Sequence, residues 1–152
     1  MPFELASFDR LRAVMRWIMA AFFAGGFWLH LSATQSLISI TPDWVPYPRE
    51  TVLLTGVLEL AGAIGLLIPR LRWWAGLALA IYVIAVWPAN MKHAFGHIAL
   101  PPIPDSWWYH APRLALQPVI AWWALFCAHV VDWPLRPCVR PRRPDIKSAK
   151  DN

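Results

Sequence analysis

The sequence predicts an all-α protein, a transmembrane four-helix bundle with both termini cytoplasmic and structured Pro- and Trp-rich outer loops. Three observations predict it. Hydrophobic residues make up 58% of the 152-residue chain and charged residues 15%, against roughly 25% charge in average soluble proteins. Four apolar stretches each reach bilayer-spanning length. The Lys and Arg residues, 14 in all, crowd between those stretches and fall mostly on one side of the resulting topology.

The predicted spans run from Trp17 to Thr34, Thr51 to Ile68, Trp73 to Asn90 and Arg113 to Val131. A stretch of about eighteen residues rises roughly 27 Å as a helix, close to the hydrocarbon thickness. Peptide groups in lipid find no water to bond, so a span of this kind must be helical. Arg10, Arg12 and Arg16 ahead of the first apolar run resemble the start of a signal peptide. Ser32-Ala33-Thr34 is a weak cleavage site, however, and the run is read as a retained anchor.

Orientation follows from the basic residues. Arg10, Arg12, Arg16, Arg70, Arg72, Arg136, Arg140, Arg142, Arg143, Lys147 and Lys150 lie on one side of the four-span topology, and only Arg49, Lys92 and Arg113 on the other. The positive-inside rule then places both termini in the cytoplasm. Trp17, Trp73, Trp74 and Trp133 near one set of span ends, and Trp44, Trp87, Trp107 and Trp108 near the other, suit two interfacial belts. The chain divides into a cytoplasmic segment 1–16, a membrane domain 17–133 and a basic tail 134–152. That tail is expected to be disordered against anionic lipid heads.

The outer loops contain Thr41-Pro42-Asp43-Trp44-Val45-Pro46-Tyr47-Pro48 and Leu100-Pro101-Pro102-Ile103-Pro104-Asp105-Ser106-Trp107-Trp108-Tyr109. Their prolines exclude continuous helix, and their aromatic content suits a cap on the bundle. The net charge of +5 comes without a basic amphipathic stripe, so nucleic acid is not expected as a partner. Cys127 and Cys138 form no CxxC and are read as structural or free thiols.

Glu59 is the residue that most invites a chemical reading. As the ninth residue of its span it lies near the bilayer centre, where an ionised carboxylate costs at least about 2.5 kcal/mol. It must face the bundle interior and be protonated or paired. Counting depth along antiparallel spans sets Tyr82 level with it. His30, Thr55, Asn90 and Gln117 come one or two turns further out, with Arg113 at the mouth. Thr55 and Glu59 share a helix face, as do Arg113 and Gln117. All four spans thus supply polar side chains to the outer half, and almost none to the inner half. Two readings stay open: interhelical hydrogen bonding around a buried acid, or an outward-open pocket for a small ligand or a proton. His93 and His97, at i,i+4 with His110 nearby, are weak metal candidates and are read as interfacial surface histidines; no metal is assigned. The glycines at 25, 26, 56, 62, 65 and 76 are read as packing residues.

In order and spacing, several short motifs resemble the DoxX-like family of small bacterial membrane proteins, over about Trp17 to Val131. They are Trp28-Leu29-His30, Pro46-Tyr47-Pro48, Thr55-Gly56-Val57-Leu58-Glu59-Leu60 with Gly62, Leu66-Leu67-Ile68-Pro69-Arg70, Trp87-Pro88-Ala89-Asn90, and Arg113 with Gln117. Leu31 stands where that family commonly has an aromatic. The resemblance implies a four-helix bundle in the bacterial inner membrane, associated with quinone-dependent or oxidative-stress complexes, and it implies no catalytic set. Two functions are therefore expected as alternatives. One is an accessory or assembly subunit of a redox or respiratory membrane complex, with partner subunits and no catalysis of its own. The other is a protein that binds a quinone-like or other apolar small molecule in the pocket centred on Glu59.

Overall fold

A computed structural model describes residues 2–98 and 106–133, with side chains from Phe8 onward. Among the described residues the chain is entirely helical, in six segments: α1 (Pro2–Ser32), α2 (Thr34–Ile40), α3 (Pro48–Leu67), α4 (Arg72–Ala85), α5 (Trp87–Phe95) and α6 (Trp107–Cys127). Three of the helical runs are long and apolar enough to cross a membrane: Phe8–Ser32, Pro48–Leu67 and Arg72–Phe95. The 21-residue α6 has the length. It lacks their apolarity because His110, Pro112, Arg113, Gln117 and Pro118 fall between its start and just past its midpoint.

Helix boundaries differ from the sequence reading in ways the chain explains. Between Pro2 and Ser32 the only Gly or Pro residues are Gly25 and Gly26, so nothing stops the first helix from starting before Trp17. Residues 2–16 are thus continuous with the first span. Its proline sits in the first turn, where a missing N–H has no consequence. The third span is interrupted at Val86, because the ring of Pro88 conflicts with the carbonyl four residues earlier, at Ile84. The last helix starts at Trp107, ahead of the predicted Arg113, with Ser106 as its N-cap accepting from the Trp108 amide at 3.4 Å. It ends at Cys127, short of the predicted Val131.

Helix α1 packs chiefly along α3, and α4 lies between α3 and α6. Small residues permit the close approaches. A Cβ on Gly62 would stand 2.7 Å from Leu79 Cγ, one on Gly65 2.9 Å from Ala75 Cβ, and one on Gly76 would run into Ala128. The tight core contains Met19, Phe23, Leu66, Leu79, Ala124 and Cys127, all nearly inaccessible. It fills the half of the molecule nearest Arg12, Arg16 and Arg72, here called the arginine end. The opposite, aromatic end carries the irregular segment 41–47 and the start of α6. Lys92 of α5 fixes that segment by donating to the Thr41 carbonyl and to Asp43 Oδ1, both at 2.7 Å. The predicted second loop falls largely in 99–105, and the tail with Cys138 in 134–152; both lie outside the described residues.

Candidate functional site

At the aromatic end the helices do not close on one another, and a cavity of about 1050 Å³ takes the place of a packed core. Glu59, Tyr82, His30, Thr55, Asn90, Arg113 and Gln117 all lie on its wall. The volume is at the upper end of the range typical of small-molecule sites. Most of the remaining wall is apolar, and segment 41–47 covers part of it through Pro42, Trp44 and Val45. Toward the arginine end α1 and α6 are joined, with Arg16 Nε donating to the Cys127 carbonyl at 3.1 Å and Arg12 4.5 Å above the Phe126 ring. Nearer the aromatic end the cavity reaches the surface along the seam between those helices. Its lining residues Phe22, Leu29 and Leu116 are exposed there, and a Cβ on Gly25 would meet only open space.

The polar residues form two stations rather than the single convergence on Glu59 that depth counting suggests. The deeper one is built on α1, α3 and α4. Tyr82 donates its hydroxyl to Glu59 Oε1 at 2.7 Å. His30 Nδ1 lies 2.6 Å from the Val52 carbonyl, which only accepts, so the proton is on Nδ1 and the imidazole turns Nε2 toward Glu59. The gap from Nε2 to Glu59 Oε2 is 3.9 Å, too long for a hydrogen bond. Oε2 is buried without a hydrogen bond. Thr55 donates to the Val52 carbonyl at 2.9 Å and stands 3.4 Å from His30 Nδ1. Two glycines seat this station. A Cβ on Gly26 would run into the Glu59 carboxyl, and one on Gly56 would stand 2.7 Å from His30 Cβ.

The shallower station joins α4, α5 and α6. Arg113 Nη2 donates to Asn90 Oδ1 at 2.5 Å, Asn90 Nδ2 donates to Gln117 Oε1 at 3.0 Å, and Gln117 Nε2 donates to the Val83 carbonyl at 2.7 Å. Both ends of this chain are fixed by chemistry. A guanidinium only donates and a carbonyl only accepts, so each amide can face one way alone. A second Arg113 nitrogen, Nη1, lies 2.7 Å from His93 Nδ1, which must therefore accept.

His93 corrects the sequence reading. It is 1% exposed and packs edge-on against His110, itself 2% exposed, with ring centroids 4.7 Å apart. Neither is a surface histidine. Nor do His93 and His97 share a helix face, because α5 ends at Phe95 and His97 takes a left-handed φ of 46°. Among the described residues no group of three His, Cys, Asp or Glu side chains is placed to hold a metal. The signal for His93 was available: three residues after Asn90, it falls on the same face of α5.

A further cluster lies at the arginine end, where the sequence reading uses Arg12 and Arg16 only to orient the chain. Arg12 and Arg16 are 5% and 9% exposed. Arg12 lies 2.6 Å from His129 Nδ1 and pairs with Asp132 at 2.6 Å, while Arg16 Nη2 stands 3.4 Å from His129 Nε2. Just beyond α6, partial desolvation and then the guanidiniums of Arg12, Arg16 and Arg72 hold the His129 pKa below its ordinary 6.5. Cys127, beside this cluster, is a buried free thiol.

Neither the curated proteins nor the solved structures include a significant match to this chain. A family model does match, over residues 19–128, from the core residue Met19 to the end of α6. The matched stretch contains both polar stations and the cavity wall, and the chain belongs to the family described as Domain of unknown function (DUF8561).

Proposed function

We propose that this protein binds an apolar small molecule, bearing at least one polar group, in the cavity between its helices. The observation that carries this reading is the placement of seven polar side chains from five helices on one largely apolar wall, around a cavity of about 1050 Å³. Hydrogen bonding as helix glue calls for polar groups that satisfy one another in a packed interface. Here they border empty volume, and Glu59 keeps an oxygen without a partner. A quinone-like molecule is one candidate of suitable size and polarity.

In this reading α6 is the fourth span, completing a four-helix bundle with α1, α3 and α4–α5. Both termini lie in the cytoplasm of a bacterial inner membrane, as the distribution of basic residues favours, and the cavity opens on the outer half. The DoxX-like resemblance is consistent with this arrangement. The accessory-subunit reading draws on exposed aromatics such as Trp44 and Trp108, 73% and 92% exposed. Such residues also anchor a lone bundle at the membrane interface, so the cavity is the more specific feature.

Purification in mild detergent followed by native mass spectrometry tests the proposal. The wild-type chain is expected to retain a small apolar molecule. Gly25→Trp is expected to lose it, because residue 25 lies on the cavity wall with open space at its Cβ position, so a bulky ring there takes up room the ligand needs. An empty wild-type chain, or occupancy unchanged by Gly25→Trp, would sink the reading.

A further inference from the structure

The two polar stations are not equivalent, and their difference points to the class of molecule that fits between them. Arg113 is half-buried on the cavity wall. A guanidinium has five N–H donors, and the bonds to Asn90 and His93 use one each. Both acceptors are neutral, and among the described residues Arg113 makes no ion pair. The nearest aromatic face, that of Tyr109, is 5.8 Å from Cζ. Three donors and a full positive charge are thus left at the edge of an apolar chamber.

The hydrogen-bonded chain behind Arg113 holds that charge in place. Gln117 is 5% exposed, Asn90 is locked between it and the guanidinium, and the last link is a backbone carbonyl. A planar fork fixed this way suits a carboxylate or phosphate, which can accept two parallel N–H bonds. The other station sits deeper. Tyr82, which bonds Glu59, and Asn90, which bonds Arg113, are eight residues apart on one span, about 12 Å of helix. The carboxyl at Glu59 disfavours a second anion at that depth, so an anionic head is directed to Arg113 and the apolar body toward the α1–α6 seam.

Building on the ligand-binding reading above, we infer that the cavity takes an anionic amphiphile, with its carboxylate or phosphate head on Arg113 and its hydrocarbon body in the chamber. The head group is common to fatty acids and to phosphorylated lipids, and the test separates them.

Three probes share a twelve-carbon tail: dodecanoate, dodecyl phosphate and 1-dodecanol. Each is titrated at pH 8 into the detergent-solubilised full chain and counted by native mass spectrometry. At least one anion is expected to bind roughly ten-fold or more tightly than dodecanol, the scale of charge-assisted hydrogen bonds. The tighter of the two anions identifies the source of the head. Arg113→Gln is expected to abolish the preference, bringing both anions to the affinity of dodecanol or below. Asn90→Asp gives a second route that keeps the arginine, since a carboxylate against the guanidinium neutralises it from within the chain and should also abolish the preference. Equal binding of all three probes, or an anion preference that survives both substitutions, overturns the inference while leaving the ligand-binding reading intact. Failure of all three probes to bind overturns both.

Discussion

Gly26 of α1 and Glu59 of α3 occupy complementary space: the carboxyl lies where a Cβ on residue 26 would be, with Cδ only 2.9 Å from that position. One turn away the roles reverse, with Gly56 of α3 making room for His30 of α1. Each helix offers a polar side chain to the other's bare backbone. Gly26→Ala is therefore expected to destabilise the protein by about 1–3 kcal/mol, the usual cost of overpacking. Gly25→Ala, which meets open space, should be neutral or slightly stabilising. Thermal unfolding of the two variants in the same detergent checks the contrast between neighbouring residues.

The hydroxyl of Tyr82 is the donor that satisfies Glu59 Oε1. Tyr82→Phe retains the ring, which packs edge-on against Phe23 at 6.3 Å, and removes the donor to Glu59. The expected cost is about 0.5–2 kcal/mol, the range for interhelical hydrogen bonds. A double-mutant cycle with Glu59→Leu, which removes the acceptor, should show coupling between the two positions. Strict additivity would mean that the bond contributes nothing.

Gln117 is the middle link of the chain from Arg113 to Val83. Gln117→Leu fits in shape but leaves the Asn90 amide and the Val83 carbonyl without their partner. A loss of about 1–3 kcal/mol is expected. Gln117→Ala should cost at least as much, because it adds a cavity to the same loss. Chemical denaturation in mixed micelles provides the measurement.

His129 predicts a pH dependence with a definite sign. Its folded pKa lies below 6.5, so in mild acid the unfolded chain binds a proton that the folded chain refuses. Stability is then lost as the pH falls through 6.5, and the loss levels off below the folded pKa. His129→Asn removes the titration, and asparagine tolerates the left-handed φ of 62° at this position. Melting temperatures across pH 5–8 should slope less for the variant than for the wild type. An unchanged slope would show that His129 is not the titrating group.

Much of this architecture was legible in the chain because lipid leaves few alternatives. Apolar length alone locates three of the helical runs, and depth counting along them assembles the wall residues from Glu59 to Arg113 in one chamber. What it does not yield is lateral geometry. Counting turns says that Tyr82 and Asn90 sit at different depths, yet it does not say that they belong to separate networks. Which side chains bond one another decides that, and it depends on how the helices are rotated about their axes. The buried arginines were missed for a related reason. Charge near a span end reads as solvated unless a partner is visible, and the partners of Arg12, His129 and Asp132, come more than a hundred residues later.

The seam between α1 and α6, closed near Arg16 and open from Phe22 to Leu29, has a consequence for how occupancy is controlled. If α6 spans the membrane as proposed, a molecule of the proposed class would reach the chamber from the acyl-chain phase and would not need to cross water as a monomer. Its activity is then set by mole fraction in the surrounding leaflet rather than by aqueous concentration. Saturation would follow membrane composition, so an affinity quoted in molar units would change with the amount of lipid in the assay while the occupancy at fixed composition would not.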